Sequence, residues 1–547
     1  MKSLWNDADA QNYQTLRALR VYSSRLLGSD ADLVLHGGGN TSVKEAVTDL
    51  LGQSQEILTV KGSGWDLATI EEAGFAPVRM DALLKLAQLD SLSDTDMVRE
   101  QRAAMIDPSA PNPSIEAILH ALIPYTFVDH SHADAIVTIT NTPDGEALIR
   151  QALGDNILVV PYVMPGFILA KTIRDMTVGC NWDELEGIVL MNHGLFTFDE
   201  DAKASYEKHI QLVSRAEEFL ITQGATLKIP ATPAETDLLE LATIRKLVSE
   251  LKGHAVLAQL NNSDLAMTFS RHPLSNIPRP GPLTPEHVIR TKSFAAVLST
   301  ENDEAGYRTQ LEQFQQQYQQ YFEDHQQGQI CLNSAPNYAI WQQHGAIAFG
   351  KKPQELQILK DLNQHTFAAI LKAEKLGGYQ ALSSDHLFDI EYWELEQAKL
   401  AKGGNAPRLS GKVVIIAEQD ATLRQALQDN LSAQGAQVFS FDSAAPDSLI
   451  MEIVQRYGGI DALVLNMEQQ DCQALMASAG LFLEQGIDPV MVCINAPTEI
   501  NFADTHVRIN RIDIASETKN ASEIGSVAGL IATLIGDPAL NEVAFKL

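Results

Sequence analysis

Asp129-His130-Ser131-His132-Ala133-Asp134, running into Ala135-Ile136-Val137-Thr138-Ile139, carries the sharpest chemical pattern in the chain. The apolar run is expected to be a strand, and along a strand alternate side chains share a face, so His130 and His132 point the same way. Two such imidazoles can each bring a nitrogen to about 2.0–2.1 Å from one ion, which makes a tetrahedral metal site that still lacks a third ligand. Histidines at this spacing also occur as ordinary edge-strand residues, and the motif alone leaves both readings open.

Around this stretch, short β-rich runs at 32–35, 56–60, 135–140, 157–161 and 187–191 alternate with helical patterns. That alternation predicts an α/β layered domain over residues 1–230. Upstream, Pro113-Ser114-Ile115-Glu116 opens a helix, with Ser114 expected as its N-cap and Glu116 near the start, where the helix dipole favours a carboxylate. A simple capping acid would look the same. Downstream, Asn192-His193-Gly194 closes the apolar run from Ile188 to Met191, either as a functional strand end or as a plain turn. Two Gly-rich segments, His36-Gly37-Gly38-Gly39-Asn40-Thr41-Ser42 and Val60-Lys61-Gly62-Ser63-Gly64, follow strand-like runs. Each lets backbone N–H groups approach an anion, although neither spells a P-loop or the GxGxxG fingerprint.

A Pro-rich stretch from Ile229 to Pro233 introduces a region, 231–405, rich in helix formers and glutamine, in which Gln310–Gln327 is expected as a solvated helix. Setting Ile188–Phe198 beside Ala339–Phe349 aligns His193-Gly194 with His344-Gly345, each followed by a helical pattern. The region is either a degenerate copy of the first domain or a chance match. After Lys402–Pro407, strand and helix patterns alternate at 413–417, 423–433, 437–441, 449–457 and 462–466. Residues 406–547 are therefore expected as a Rossmann-like, doubly wound domain.

At 547 residues, 45% hydrophobic and 20% charged, the chain is folded protein in several domains. Forty basic against 70 acidic residues give a net charge of -30, which repels nucleic acid and anionic membrane. An anionic substrate would need a local grip. Cys180, Cys331, Cys472 and Cys493 form no CxxC pair, which argues against a disulfide framework or a Cys-based zinc site. With no long apolar run and no signal-like start, the expectation is a cytoplasmic protein without membrane or nucleic-acid partners.

Taken in order, Gly37-Gly38-Gly39-Asn40-Thr41-Ser42, Lys61-Gly62-Ser63-Gly64, Pro113-Ser114-Ile115-Glu116, His130-Ser131-His132 and Asn192-His193-Gly194 resemble the motif series of the class II aldolase/adducin family, over roughly residues 15–225. The longer chain is similar to the bifunctional rhamnulose-1-phosphate aldolase/alcohol dehydrogenase group, through Gly281–Lys292 and Phe388–Lys399. The resemblance implies that His130, His132 and His193 bind zinc or another divalent metal and that Glu116 is the catalytic acid/base. Asn40, Lys61, Gly62, Ser63 and Ser114 would hold phosphate or enediolate oxygens. Ile115 departs from the small hydroxyl residue often found before that glutamate, which weakens the phosphate grip there.

The implied reaction is cleavage of a ketose 1-phosphate, such as rhamnulose-1-phosphate, to dihydroxyacetone phosphate and a small hydroxyaldehyde, in a homo-oligomer. A related metal-dependent epimerase or decarboxylase and a non-catalytic sugar-phosphate binding or scaffold protein stand as alternatives. An NAD-dependent dehydrogenase is a third. The C-terminal region resembles a short-chain dehydrogenase, but Glu418, Thr422 and Arg424 stand where its three glycines belong. Tyr457, the last tyrosine, comes too early for the Tyr-x-x-x-Lys pair. Neither an NAD site nor dehydrogenase activity is expected.

Overall fold

The computed structural model describes residues 1–231, 236–273, 281–300, 302–395, 406–442, 445–467, 469–495, 506–514 and 521–546. Thr232 and Pro233, Glu396–Lys399 and Lys402–Asn405, which belong to stretches singled out above, lie outside them. The chain forms two compact units, one from Met1–Lys228, Arg279–Phe294 and Asp361–Leu400, the other from Ile229–Pro278, Ala295–Lys360 and Ala401–Leu547. Residues 229–400 are thus shared between them.

The first unit is an α/β domain. Its sheet contains β1 (Asn40–Thr48), β2 (Ser54–Lys61), β3 (Phe75–Arg79), β4 (Phe127–Ser131), β5 (Ile157–Val160), β6 (Gly187–Leu190) and β7 (Gly194–Asp199), in the order β3-β2-β1-β4-β7-β6-β5. The β5–β6 pair is parallel and the other pairs are antiparallel. Strand β4 lies in the middle with all five residues buried, because apolar layers cover both faces of the sheet. One includes Ile136, Ile149, Tyr206 and Val213; the other includes Leu83, Ile118, Leu119 and Phe167. The helix Ala202–Thr222, capped by Asp201, buries His209, Leu212, Val213, Ala216 and Leu220 at helical spacing.

Two expectations are corrected here. The run after His132 is not a strand: Asp134–Thr140 is a helix, and β4 ends at Ser131. Residues 135–140 are all buried, so the run has no polar face to set a period, and a buried helix segment reads like a buried strand. Residues 32–35 are not a strand: they lead out of a turn in which Asp30 Oδ1 accepts from Asp32 N and its carbonyl from Leu33 N and Val34 N. The first Gly-rich segment therefore follows a turn and leads into β1.

In the second unit, β8 (Leu257–Asn261), β9 (Ala296–Leu298), β10 (Tyr338–Trp341) and β11 (Gly345–Gly350) form a sheet in the order β8-β11-β10-β9. Its pairings repeat those of β4-β7-β6-β5: antiparallel, antiparallel, parallel. Both hairpins close the same way, with Leu190 opposite Gly194 and Trp341 opposite Gly345. The residue before each turn histidine is left-handed, Asn192 at φ 58° and Gln343 at φ 65°. Helices of 21 residues follow, Ala202–Thr222 and Pro353–Ala373. The Gln-rich stretch falls in the helix Glu304–His325, which is amphipathic and not solvated all round: Tyr307, Leu311, Phe314, Tyr318 and Tyr321 form a buried stripe.

The rest of this unit is an all-parallel sheet of β12 (Val413–Glu418), β13 (Gln437–Ser440), β14 (Ala462–Asn466), β15 (Val490–Ile494), β16 (Arg508–Asp513) and β17 (Ala544–Lys546). The order β13-β12-β14-β15-β16-β17 is Rossmann-like. Its direction reverses at β12, so the switch point where such sheets bind ligands lies at the carboxyl ends of β12 and β14. Among the described residues, no helix is long and apolar enough to cross a membrane.

Candidate metal centre

His130 stands on β4 opposite Asn40 of β1 and Phe196 of β7. Its Nδ1–H donates to the Leu195 carbonyl at 3.0 Å, which leaves Nε2 with a lone pair. His132 lies just beyond the strand, where its amide donates to Leu33 O at 3.1 Å, and the two Nε2 atoms are 3.0 Å apart. His193 comes from the β6–β7 turn. Gly194 is required beside it, because a Cβ there would meet the Ser131 carbonyl oxygen at 2.2 Å.

One ligand nitrogen from each of the three histidines lies within 4.8 Å of the others. Glu116 faces the same point, its Oε2 3.6 Å from His130 Nε2 and its Oε1 3.9 Å from His193 Nε2. Burial pushes the pKa of His130 well down and that of His193 to about 3. Burial also opposes charge on His132, but the adjacent Glu286 carboxylate outweighs it and the pKa rises. Convergent, largely buried imidazoles with Nε2 turned inward and a carboxylate beside them are a donor set that fits zinc or a similar divalent ion.

Glu116 is itself the residue before the helix Ala117–Leu122; Ser114 lies a turn earlier, its Oγ accepting from Glu116 N and its carbonyl from Ala117 N. This replaces Ser114 as the expected N-cap. Asn40 Nδ2 donates to Glu116 Oε2 at 2.5 Å, while Asn40 Oδ1 accepts from His120 Nε2. Ser42 Oγ meets His120 Nδ1 at 2.8 Å. Behind β4, a buried Arg20–Asp129 pair takes a further bond from Ser205 Oγ, and His209 bridges Ser131 and Thr197.

The candidate phosphate residues are brought side by side, since Ser63 N donates to Asn112 O and Ser114 N to Lys61 O. The amides do not offer the grip expected of them. Gly62 N already donates to Gly74 O, Ser63 N is committed to Asn112 O, and Lys61 Nζ donates to Gly37 O. Sequence reasoning missed Glu286 and His120. Glu286 gave no local signal, since it lies 154 residues from its partner His132.

At the switch point of the parallel sheet, buried Glu418 accepts from Asn466 Nδ2 at 2.7 Å and from Asp420 N at 2.8 Å. Asp420 caps the following helix by accepting from Thr422 N and Leu423 N. Arg424 Nη1 donates to the Glu418 carbonyl. Acidic side chains thus occupy the amide groups on which a pyrophosphate would rest.

Residues 19–220 match the class II aldolase and adducin N-terminal domain, and 235–400 match the second domain of class II aldolases. The chain is 29% identical over 531 residues to an uncharacterized oxidoreductase of Bacillus subtilis, YuxG, covering 93% of this chain and 76% of the relative. It is 45% identical to the N-terminal class II aldolase domain of a conserved protein from Thermoplasma acidophilum, covering 40% of this chain and 99% of that one with a TM-score of 0.37. A sugar-phosphate aldolase from Thermotoga maritima is 14% identical over 40% of this chain and 98% of that one, with a TM-score of 0.30.

Proposed function

The chain belongs to the class II aldolase and adducin family, and on that footing we propose that it is a metal-dependent aldolase acting on a ketose 1-phosphate such as rhamnulose-1-phosphate. The products would be dihydroxyacetone phosphate and a small hydroxyaldehyde. The observation that carries this reading is the convergence of His130, His132 and His193 with the Glu116 carboxylate set against them. Zinc or another divalent ion held by the three imidazoles would polarise the ketose carbonyl and its neighbouring hydroxyl and so stabilise the enediolate left by cleavage.

Glu116 would move the proton at the enediolate carbon. Asn40 keeps the carboxylate aimed, and His120, whose pKa burial holds well down, fixes the amide orientation of Asn40. For the phosphate, the Ser63 and Ser114 hydroxyls remain once the Gly62 and Ser63 amides are set aside, and the Lys61 ammonium would join them by exchanging its bond to Gly37 O. We assign no nicotinamide cofactor to the parallel sheet, because Glu418 and Asp420 fill its switch point. A homo-oligomer is part of the same proposal, by family analogy.

The test is metal analysis of the wild type and His130→Ala, paired with an assay for dihydroxyacetone phosphate release from ketose 1-phosphates. Near-stoichiometric metal that falls in the variant, with product from the wild type alone, supports the aldolase. Metal without cleavage moves the reading to an epimerase or decarboxylase on the same scaffold, or to a binding protein. A wild type without metal sinks it.

A further inference from the structure

The two strand-derived histidines are held from behind by different chemistry. His130 Nδ1–H donates to a neutral backbone carbonyl, that of Leu195. His132 Nδ1–H donates to the carboxylate of Glu286, which stands 154 residues further along the chain, in the range that matches the second aldolase domain. Both bonds fix the tautomer in which Nε2 offers its lone pair. The carboxylate also makes the imidazole a stronger base and donor.

Glu286 is not there by accident of a loose loop. It sits in the single turn Pro285–His287, where proline pre-sets the helical backbone. The strand of chain before it is tied down at two carbonyls, Pro282 O accepting from Tyr379 OH at 3.0 Å and Leu283 O from Asn141 Nδ2 at 2.8 Å. Asn141 Oδ1 in turn accepts from Asn192 Nδ2, one residue before His193. Leu283 packs with Val137 and Ala369, and Val288 with Leu387, Ile390 and Trp393. Gly38 makes room for the contact: a Cβ there would stand 3.2 Å from His132 Nδ1 and 3.6 Å from Glu286 Oε1.

We infer that Glu286 is a positioning residue for the metal centre: the segment 282–287, contributed by the second aldolase domain, completes the site that the first domain's histidines begin. The inference rests on the metal reading above and adds a residue and a dependence to it. Residues 1–228 carry all three histidines and Glu116, yet without Glu286 the centre would have a weaker His132 and a lower affinity for its ion.

The experiment uses the full-length chain with zinc, and separately cobalt, titrated in competition with a chromophoric chelator. Glu286→Gln keeps the shape and removes the charge, Glu286→Ala removes both, and Glu286→Asp keeps the charge on a shorter arm. The expected result is metal affinity about 10–100-fold weaker in the Ala variant, the usual effect of losing such an outer partner, with Gln also weakened and Asp partly restored. The visible spectrum of the cobalt form should shift in Gln. Loss of the His132–Glu286 pair also lowers metal-free melting, so affinities are read well below it; a purely structural residue would leave both the cobalt spectrum and the zinc affinity alone. Gln binding zinc as tightly as the wild type overturns this inference and leaves the aldolase reading standing; a wild type that binds no zinc overturns both.

Discussion

Glu116 is aimed by a chain of polar groups and not by its own helix, since it makes no cap bond with its carboxylate. His120 occupies the Asn40 Oδ1, so the Asn40 Nδ2 has to face Glu116. Because the carboxylate lies beside the imidazoles without replacing any of them, Glu116→Gln should keep its metal and lose about 10²–10⁴ in turnover, the range for a missing general acid/base. Loss of metal together with turnover would make Glu116 a ligand instead. His209 gives a prediction about stability. Burial pushes its pKa down from 6.5 to about 4, so the unfolded chain takes up a proton that the fold refuses. The full contribution is therefore present above pH 6.5 and is lost as pH falls from there to 4, at about 1.4 kcal/mol per pH unit. His209→Gln should flatten that part of the melting temperature against pH relative to the wild type; parallel curves would refute it.

The sheet β8-β11-β10-β9 repeats the strand pairing that builds the metal centre. Its register sets Leu260, Asn261 and His344 where β4, β7 and β6 set His130, Ser131 and His193, with Asn262 matching His132 just past the strand. We read it as a second copy that kept the turn histidine and lost the other two ligands, so the chain should bind one metal ion, and His130→Ala should bind none; two ions per wild-type chain by elemental analysis would contradict this. The turn was legible in sequence because a His-Gly pair with a left-handed residue before it is a local signature. Strand β8 was not, because its histidines are gone and its pairing with β11 joins residues some 90 positions apart. The same limit explains residues 135–140, where burial on every side erased the period, and the Gly-rich loop. Gly38 looked like an anion cradle, whereas its lack of a Cβ leaves room for the Leu35 carbonyl and for His132 beside Glu286. Gly38→Ala, whose Cβ would meet Leu35 O at 3.0 Å as well as His132 Nδ1 at 3.2 Å, should accordingly weaken metal binding as well as lower metal-free melting, and the chelator competition, run well below melting, would read the first.

Over the whole chain, what the sequence conveyed least was how distant segments share a core. Pro- and Gly-rich punctuation suggested three consecutive blocks, whereas Val288, Leu387, Ile390 and Trp393 join the first unit from far along the chain. In the second unit the corresponding long-range tie is polar. Arg245, on the helix Leu238–Lys252, and Asp461, at the foot of β14, are both fully buried and meet at 2.6 Å. Further bonds hold the pair: Arg245 also donates to Val256 O and Gly411 O, and Asp461 accepts from Val413 N and Ile487 N. A buried pair contributes little net stability against an apolar replacement, but a lone buried charge is costly, about 3–5 kcal/mol. Asp461→Ala should therefore lower the melting temperature substantially, while zinc titrated well below melting binds as in the wild type, because neither the histidines nor Glu286 is involved. If the cost is the stranded guanidinium, Arg245→Met in the same chain should recover much of the loss despite removing a second set of hydrogen bonds. A double variant that melts lower than Asp461→Ala would mean instead that the Arg245 bonds to Val256 and Gly411 outweigh its unpaired charge.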